Sequence, residues 1–218
     1  TALVITLGFD EKFCYRAILR HGISEGDKVL LLTATLVDRV RRAYEWVKAF
    51  LEASYQTVEI RLVELDVRDV VGCVKRIYGL LREVEGYRLV VNLSGGMRIL
   101  SLMTLLTLTM VDKRDLEVEV ELEDFSGVVR IPASLLRVQR VKATMGKERL
   151  EVLQAAMEGL RDVKSISERI RRDESTVRRH ISALEKEGLI EVVKRKPLTF
   201  KPTGLAELLA MRFKQDNT

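Results

Sequence analysis

The chain has 218 residues, of which 47% are hydrophobic and 32% charged, with 37 Lys and Arg against 32 Asp and Glu; this composition excludes a disordered chain and is typical of a folded globular protein. The longest uncharged run, Ile99 to Val111, is too short to span a bilayer, and the first residues lack the apolar core of a signal peptide, so we expect a cytoplasmic protein without membrane contact. Cys14 and Cys73 lack the spacing of metal ligands and are too few for a disulfide framework, so we expect no bound metal.

Charge is distributed unevenly along the chain. Residues 1–140 contain 20 basic and 20 acidic side chains, whereas residues 141–218 contain 17 basic and 12 acidic ones. A neutral domain followed by a basic domain indicates a sensor joined to a module that binds a polyanion. A basic tail that only keeps the protein soluble is the alternative.

Apolar runs alternate with amphipathic helices through the first half of the chain. The segments 2–7, 28–33 and 88–91 have the continuous apolar character of buried parallel strands, and residues 58–62 alternate as an edge strand does. This order predicts an α/β Rossmann-like domain over residues 1–132, with a doubly wound parallel sheet and right-handed crossovers.

Three polar turns follow three of the predicted strands. Since ligands bind beyond the carboxyl ends of the strands in such sheets, we expect the turns Gly8-Phe9-Asp10, Thr33-Ala34-Thr35 and Asn92 to Arg98 to converge on one rim. The candidate ligand-binding residues are Gly8, Phe9, Asp10, Thr33, Thr35, Asn92, Ser94, Gly95, Gly96, Met97 and Arg98.

The turn with two adjacent glycines has the chemistry of an anion site. Gly95 and Gly96 allow a ligand to approach the main chain closely, and the free amides at the start of the following helix attract negative charge. Asn92 and Ser94 add hydrogen-bonding groups, and Arg98 adds a charge suited to phosphate. The alternative is an ordinary strand-to-helix turn. The turn matches neither the dinucleotide-binding fingerprint nor the P-loop.

Two further segments predict how the sheet and its surroundings are completed. The segment 97–110 is apolar almost all round, which predicts a helix covered by a second subunit. Residues 116–123 alternate strictly and pair with residues 128–131 as an antiparallel hairpin. Its glutamates are expected to form an acidic outer face that resists edge pairing; they are Glu117, Glu119, Glu121 and Glu123.

The basic part of the chain predicts a mainly α winged helix-turn-helix domain over residues 147–218, after a linker at residues 133–146. A first helix over residues 147–160 is expected to bury Leu150, Leu153, Met157 and Leu160. A capping box at residues 165–168 is expected to open a short second helix. Asp173 is expected to cap a third helix that ends at Gly188. A hairpin with a basic tip forms the wing, and a helix over residues 204–213 closes the domain.

The third helix has one apolar and one basic face. At about 100° per residue, Val177, Ile181 and Leu184 fall on the core side, and His180 lies near it. Arginine reads guanine in the major groove, while lysine and hydroxyl groups hold phosphate. The candidate DNA-binding residues are Ser175, Thr176, Arg178, Arg179, Ser182 and Lys186 on the helix and Lys194, Arg195 and Lys196 on the wing. A winged helix used for protein contact is a further alternative.

The two halves together resemble the CRISPR-associated Rossmann-fold (CARF) regulators of archaeal type I-A antiviral systems, which carry a C-terminal winged helix. Asn92-Leu93-Ser94-Gly95-Gly96-Met97-Arg98 is similar to the Asn-x-Ser/Thr-Gly-Gly-x-Arg/Lys motif of that family, and Gly8-Phe9-Asp10 matches its loop after the first strand. The resemblance implies a cytoplasmic homodimer whose two sensor domains share one cyclic oligoadenylate effector, expected to be cyclic tetra-adenylate. It also implies a transcription regulator that binds a palindromic promoter site in double-stranded DNA.

Some sensor domains of that family also cleave the ring, usually with a serine or threonine and a lysine. Here the basic position is Arg98, so the resemblance implies a regulator that is not an enzyme. The alternative is a slow ring nuclease, in which Arg98 stabilises the transition state, Ser94 orients a ribose hydroxyl and the winged helix is an accessory domain. We do not expect hydrolysis through a histidine, because neither His21 nor His180 lies in a candidate pocket loop.

Overall fold

The structure, a computed structural model, describes residues 1–55, 57–113, 115–136 and 145–213, with the backbone alone for residues 211–213. The chain divides into two compact units, Thr1–Ala133 and Ser134–Thr218. Within the described ranges, every helix is too short or too polar to cross a membrane.

The first unit is built on a six-stranded sheet with the order β3-β2-β1-β4-β5-β6. Neighbouring strands are parallel except for β5 and β6, which form the antiparallel hairpin. This arrangement confirms the predicted Rossmann-like fold. The strands are β1 (Ala2–Thr6), β2 (Lys28–Thr33), β3 (Glu59–Glu64), β4 (Leu89–Asn92), β5 (Leu116–Glu121) and β6 (Val128–Ile131).

Four helices connect these strands. Helix α1 ends at Gly22, whose φ of 62° lies in the left-handed region that glycine adopts readily. Helix α3 begins at the side chain of Asp69, which accepts a hydrogen bond from the Gly72 amide. The helices are α1 (Lys12–His21), α2 (Asp38–Ser54), α3 (Val70–Glu83) and α4 (Arg98–Leu108).

The core of this unit forms where the central strands meet α1 and α2. Every residue of β1 is buried, because β1 lies between β2 and β4 and both faces of the sheet are covered. On one face, Leu3 and Ile5 pack in a cluster with Ile18 of α1 and Val47 of α2. Burial on both faces explains the continuous apolar character of β1 and β2.

The predicted acidic outer face of β5 is wrong for two of its glutamates. Glu119 and Glu121 are buried, because α1 covers that face of the sheet and places arginines against them. Arg20 Nη2 donates to Glu119 Oε1 at 3.0 Å, and Arg16 donates to Glu121. Burial acts to raise the pKa of the Glu119 carboxyl, but the hydrogen bonds from Arg20 and Asn92 outweigh it and hold that pKa below its usual value.

Helix α4 is covered on one side only within the described unit. Leu100, Met103 and Leu108 are buried, whereas the cover of the remaining side by a second subunit stays a prediction. The opposite side presents large exposed apolar side chains at helical spacing. We call Ile99, Leu102 and Leu106 the α4 surface.

The second unit contains helices followed by a two-stranded antiparallel sheet, and it confirms the predicted helical domain with a hairpin. Its elements are α5 (Lys147–Met157), α6 (Val163–Ile170), α7 (Glu174–Lys186), β7 (Ile190–Arg195), β8 (Leu198–Pro202) and α8 (Gly204–Phe213). Of the predicted linker, residues 133–136 are helical and residues 137–144 lie outside the described residues.

Side chains from the helices and the hairpin share one core in this unit. Ile166 of α6 and Ile181 of α7 pack in the same cluster as Phe200 of β8. The apolar face predicted for the third helix is confirmed, since Val177, Ile181 and Leu184 are all buried.

Two local predictions for this unit are wrong. The second helix begins before the expected capping box, because Asp162 accepts the Ser165 amide at 2.9 Å and serves as the N-cap. The first helix buries Val152, Leu153, Ala155 and Ala156, whereas Leu150 and Met157 are only half-buried. Two adjacent pairs of small or branched residues therefore form the contact face of α5, rather than the predicted stripe.

Candidate functional site

A cavity of about 480 Å³ lies at the carboxyl ends of β1, β2 and β4, where the three polar turns meet. Every predicted ligand-binding residue lines it except Asn92 and Arg98. The convergence follows from the parallel order of these three strands. The lining residues are Leu7, Gly8, Phe9, Asp10, Phe13, Thr33, Ala34, Thr35, Val40, Ser94, Gly95, Gly96 and Met97.

The glycines of this cavity are required by contacts between main chains. A Cβ atom on Gly95 would lie 2.4 Å from the Thr6 carbonyl oxygen, and one on Gly8 would lie 2.7 Å from the Gly96 nitrogen. Gly96 also has a φ of 76°. The glycine turn was predicted to let a ligand approach its main chain. In the structure the end of β1 approaches it in this way, and the two segments pack main chain against main chain under the cavity.

Asn92 holds the turn from below instead of lining the cavity. Its side chain is fully buried, and its Oδ1 accepts the Ser94 amide at 3.1 Å. The Ser94 hydroxyl in turn accepts the Glu121 amide at 2.8 Å. These bonds tie the turn to β5, and the Ser94 hydroxyl keeps its proton available to a ligand.

The hydroxyl groups of the second turn differ in availability. Thr33 donates its hydroxyl to the Thr35 carbonyl oxygen at 3.0 Å, so this proton is committed within the turn. Asp10 accepts the Lys12 amide at 2.9 Å. Among the described lining residues, Asp10 has the only ionisable side chain, and none of them is basic.

Arg98 lies outside the cavity. It is the first residue of α4, its side chain is exposed, and it forms no ion pair within the described ranges. Met97, which precedes it, does line the cavity. Arg98 therefore directly follows a lining residue in the sequence, but its own side chain is not part of the lining.

Sequence reasoning did not assign Phe13, Val40 or Arg39 to the site. Phe13 and Val40 line the cavity from the first turns of α1 and α2. The guanidinium of Arg39 lies 4.9 Å from the centroid of the Phe9 ring. A helix that follows a ligand-binding turn places its first residues at the same rim, and this rule would have identified all three.

The predicted DNA-binding residues lie on the exposed side of α7 and on the β7–β8 hairpin, with Thr176 half-buried. Asp173 caps α7, as predicted, by accepting the Thr176 amide at 2.8 Å. Asp173 also accepts the hydroxyls of Ser175 and Thr176, and these bonds hold the pKa of its carboxyl well below the usual value. Both hydroxyls are thus engaged at the start of α7.

The basic side chains of this surface differ in their partners. Arg178 pairs with Glu174 at 3.1 Å, and Arg195 pairs with Glu185 at 3.0 Å. The remaining cations have no ion pair with any residue that the structure describes. They are Arg179, Lys186, Lys194 and Lys196.

Both histidines lie away from the cavity. His180 is mostly buried, with Nε2 3.5 Å from a carboxylate oxygen of Glu148, consistent with packing. His21 Nε2 lies 3.1 Å from Glu119, and Glu117 is close by. These two glutamates already accept hydrogen bonds from arginines, since Glu117 pairs with Arg88 and Glu119 with Arg20. The carboxylates of the cluster therefore already belong to ion pairs, buried at Glu119 and half-buried at Glu117.

Comparison with known proteins gives two family matches. Residues 1–132 match the Csa3 CRISPR-associated Rossmann-like domain, and residues 146–192 match the bacterial regulatory proteins of the arsR family. No curated protein matches the chain.

The comparison also found two similar solved structures. One is Enterococcus italicus Csm6 bound to cyclic hexa-2'-fluoro-hexa-dAMP, at 10% identity and a TM-score of 0.50, covering 85% of this chain and 54% of that one. The other is protein VC1899 from Vibrio cholerae, at 10% identity and a TM-score of 0.44, covering 95% of this chain and 63% of that one. The chain thus spans about half the length of the Csm6 chain.

Proposed function

The chain belongs to the family of the Csa3 CRISPR-associated Rossmann-like domain, and from this premise we propose that it is a ligand-responsive transcription regulator of a CRISPR-Cas system. Its N-terminal unit binds a cyclic oligoadenylate, and its C-terminal unit, which matches arsR-family regulators, binds double-stranded promoter DNA. The observation that carries the proposal is the cavity of about 480 Å³ beside a glycine turn, in a chain that also carries exposed cations on α7.

The class of ligand is supported by the chemistry of the cavity rim. Gly95, Gly96 and Ser94 line a cavity that also has apolar walls from Phe9 and Phe13. Main-chain amides and hydroxyl groups are suited to phosphates, and the apolar walls are suited to adenine bases. Csm6, which shares the fold, was solved with a ring of adenine nucleotides. We propose cyclic tetra-adenylate as the ring, because the family resemblance implies it.

The homodimer is supported by the α4 surface. Leu102 is 61% exposed and Leu106 is 52% exposed, although both are large and apolar. A two-fold axis at this surface covers the same patch on both subunits. Because Met97 lies at the start of α4 and lines the cavity, the same axis brings two cavities toward each other, so one ring binds per dimer.

DNA binding is supported by the exposed face of α7 and by the hairpin that follows it. The cations that lack carboxylate partners within the described part of the chain are available to phosphates and base edges; they include Arg179 on α7 and Lys194 and Lys196 on the wing. A dimer with two such helices binds a palindromic site with half-sites about one helical turn apart.

Binding without cleavage is part of the proposal. The described lining offers the Ser94 hydroxyl but no lysine or histidine to take up a proton or stabilise a leaving group. Arg98, the residue on which the ring nuclease alternative depends, lies outside the lining. The protein therefore acts as a receptor for the ring.

Titration calorimetry with cyclic tetra-adenylate tests the proposal. We expect micromolar or tighter affinity, one ring per dimer, and a change in the affinity for promoter DNA when the ring is bound. Linear adenylates of the same length serve as the control and bind more weakly. Prolonged incubation with labelled ring followed by chromatography decides the alternative, because multiple turnovers to linear product identify a ring nuclease.

A further inference from the structure

The described lining of the cavity contains no cation for the anionic ligand that it is proposed to bind, and the nearby Lys12 is paired with Asp10 at 3.8 Å. A cyclic oligoadenylate carries one negative charge for each nucleotide, whereas the described lining of the cavity contains no basic residue and one acidic residue, Asp10. Main-chain amides stabilise a phosphate, but a full charge near the rim is expected in addition. A basic side chain just outside the lining is therefore the group to identify.

Arg39 has the required position. It lies in the first turn of α2, next to Val40, which lines the cavity, and its guanidinium lies 4.9 Å from the centroid of the Phe9 ring. Phe9 lines the cavity and is nevertheless 56% exposed, so its aromatic ring and the Arg39 guanidinium lie together at the opening of the cavity. Arg39 itself is exposed and has no carboxylate partner among the residues described.

The position of Arg39 is unfavourable for the helix that carries it. The N-terminus of a helix has a partial positive charge, so acidic residues stabilise the first turn and basic residues destabilise it. The N-cap of α2 is Val37, whose side chain accepts no hydrogen bond from the first turn. The stability of α2 therefore gives no reason for an arginine at this position. An anion at the rim, in contrast, is attracted both by the helix N-terminus and by the Arg39 guanidinium.

We propose that Arg39, held against the Phe9 ring, binds a phosphate of the ligand at the rim of the cavity. This assignment rests on the proposed function and deepens it, because it names the charged contact. Phe9 acts as a positioning residue: the cation–π contact restricts the guanidinium to the rim and leaves its N–H groups free for phosphate oxygens. Arg98, the cation predicted from the sequence, also lies outside the lining, and none of the described contacts holds its side chain against a lining residue as the cation–π contact holds Arg39 against Phe9.

Arg39→Ala tests the assignment, with Arg41→Ala as the matched control. Arg41 is an exposed arginine of the same helix, about 200° around the axis from Arg39. Calorimetry with cyclic tetra-adenylate is expected to show a loss of about tenfold or more in Arg39→Ala and less than about twofold in Arg41→Ala. Equal affinities of the two variants would overturn the role of Arg39, whereas wild-type protein that binds no ring would overturn the proposed function itself.

Salt dependence provides a readout that a structural role of Arg39 would not change. Screening weakens exposed charge contacts, so the affinity of the wild type falls as salt is raised from about 0.05 to 0.5 M. The fall is expected to be smaller in Arg39→Ala and unchanged in Arg41→Ala. An identical salt dependence in all three proteins would contradict a direct phosphate contact.

The role of Phe9 is tested in two backgrounds. Phe9→Leu is expected to weaken ring binding about two- to fivefold in the wild type, because the cation–π contact is lost. The same substitution is expected to have a smaller effect when Arg39 is already alanine, since only the apolar contact of Phe9 with the ligand changes and no guanidinium remains to be positioned. Equal losses in both backgrounds would show that Phe9 does not act through Arg39.

Discussion

Asn92 Nδ2 donates a hydrogen bond to Glu119 Oε1 at 2.8 Å, from one buried strand to the next. The same asparagine accepts the Ser94 amide of the glycine turn, and the same glutamate accepts hydrogen bonds from Arg20 of α1. The loop of the candidate ligand site is therefore connected to a buried ion pair on one face of the sheet. This connection explains why an asparagine of the motif can be necessary without contacting a ligand.

Replacing Glu119 by glutamine should reveal the contribution of this ion pair. The pKa of Glu119 is lowered in the folded state, so its stabilising effect is fully present above the ordinary value of 4.5 and is lost as the pH falls below it. We expect Glu119→Gln to lower the free energy of unfolding by about 1–3 kcal/mol at pH 7, because Arg20 loses a charged acceptor. Chemical unfolding at several pH values measures this.

The difference between Glu119→Gln and wild type should shrink as the pH falls from about 5 to 3. Glu59→Gln is a suitable control, since Glu59 is an exposed carboxylate on the edge strand β3 and pairs with Lys28 at the surface. A constant difference between Glu119→Gln and wild type over this range would show that the Glu119 carboxylate is not the titrating group.

Gly95→Ala should distort the glycine turn. The added methyl group would lie 2.4 Å from the Thr6 carbonyl oxygen, so the turn or the end of β1 must move. We expect a loss of about 1–3 kcal/mol in the free energy of unfolding, together with weaker ring binding. Gly79→Ala is the control, because Gly79 is an exposed residue inside α3 with open space at its Cβ, and alanine stabilises a helix by up to about 1 kcal/mol. Thermal unfolding measures the stability of the two variants and calorimetry measures their ring binding. Equal stability and equal ring affinity of Gly95→Ala and Gly79→Ala would contradict a steric requirement for glycine at position 95.

Leu102→Glu and Leu106→Glu should disrupt the dimer. A carboxylate at either position places a charge in the proposed interface, so we expect monomers or aggregates at micromolar concentration in sedimentation velocity. Leu19→Glu is the matched control, since Leu19 of α1 is 63% exposed, close to the 61% of Leu102, and is not part of the α4 surface. A wild-type protein that sedimented as a stable monomer would exclude this interface and the shared ligand site.

Basic residues of α7 and of the wing should affect DNA binding differently. Arg179→Ala is expected to cost about 1–3 kcal/mol on the promoter site and much less on random duplex, because a base contact is lost. Lys194→Ala or Lys196→Ala is expected to weaken binding to both DNAs alike and to reduce the salt dependence by about one unit for each lost phosphate contact. Fluorescence anisotropy at several salt concentrations measures both effects. If Arg179→Ala weakened binding to the promoter site and to random duplex equally, α7 would contribute only a nonspecific electrostatic attraction.

The parts that could be predicted from the sequence are those fixed by local periodicity and by strand order. The parallel sheet, the hairpin and the convergence of the three turns followed from apolar runs that alternate with amphipathic helices. The family resemblance, confirmed by the match over residues 1–132, followed from the motif between Asn92 and Arg98.

The parts that could not be predicted depend on which element covers which face. The alternation of β5 showed that the glutamates share a side but not that α1 brings Arg16 and Arg20 to it. The contact of Arg39 with Phe9 joins the first turn of α2 to the loop after β1, and a whole helix and strand separate the two in sequence. The helix cap at Asp162 was missed because serines that follow it imitate a capping box.

The backbone packing of Gly8, Gly95 and Gly96 has a consequence for how this pocket can evolve. Since the two loops touch through main-chain atoms, their spacing does not depend on the side chains that point into the cavity. Phe9 and Met97 can then be exchanged for other residues without displacing the loops that carry them. Selection can thus retune the pocket for rings of another size one substitution at a time, while the frame around it is inherited unchanged.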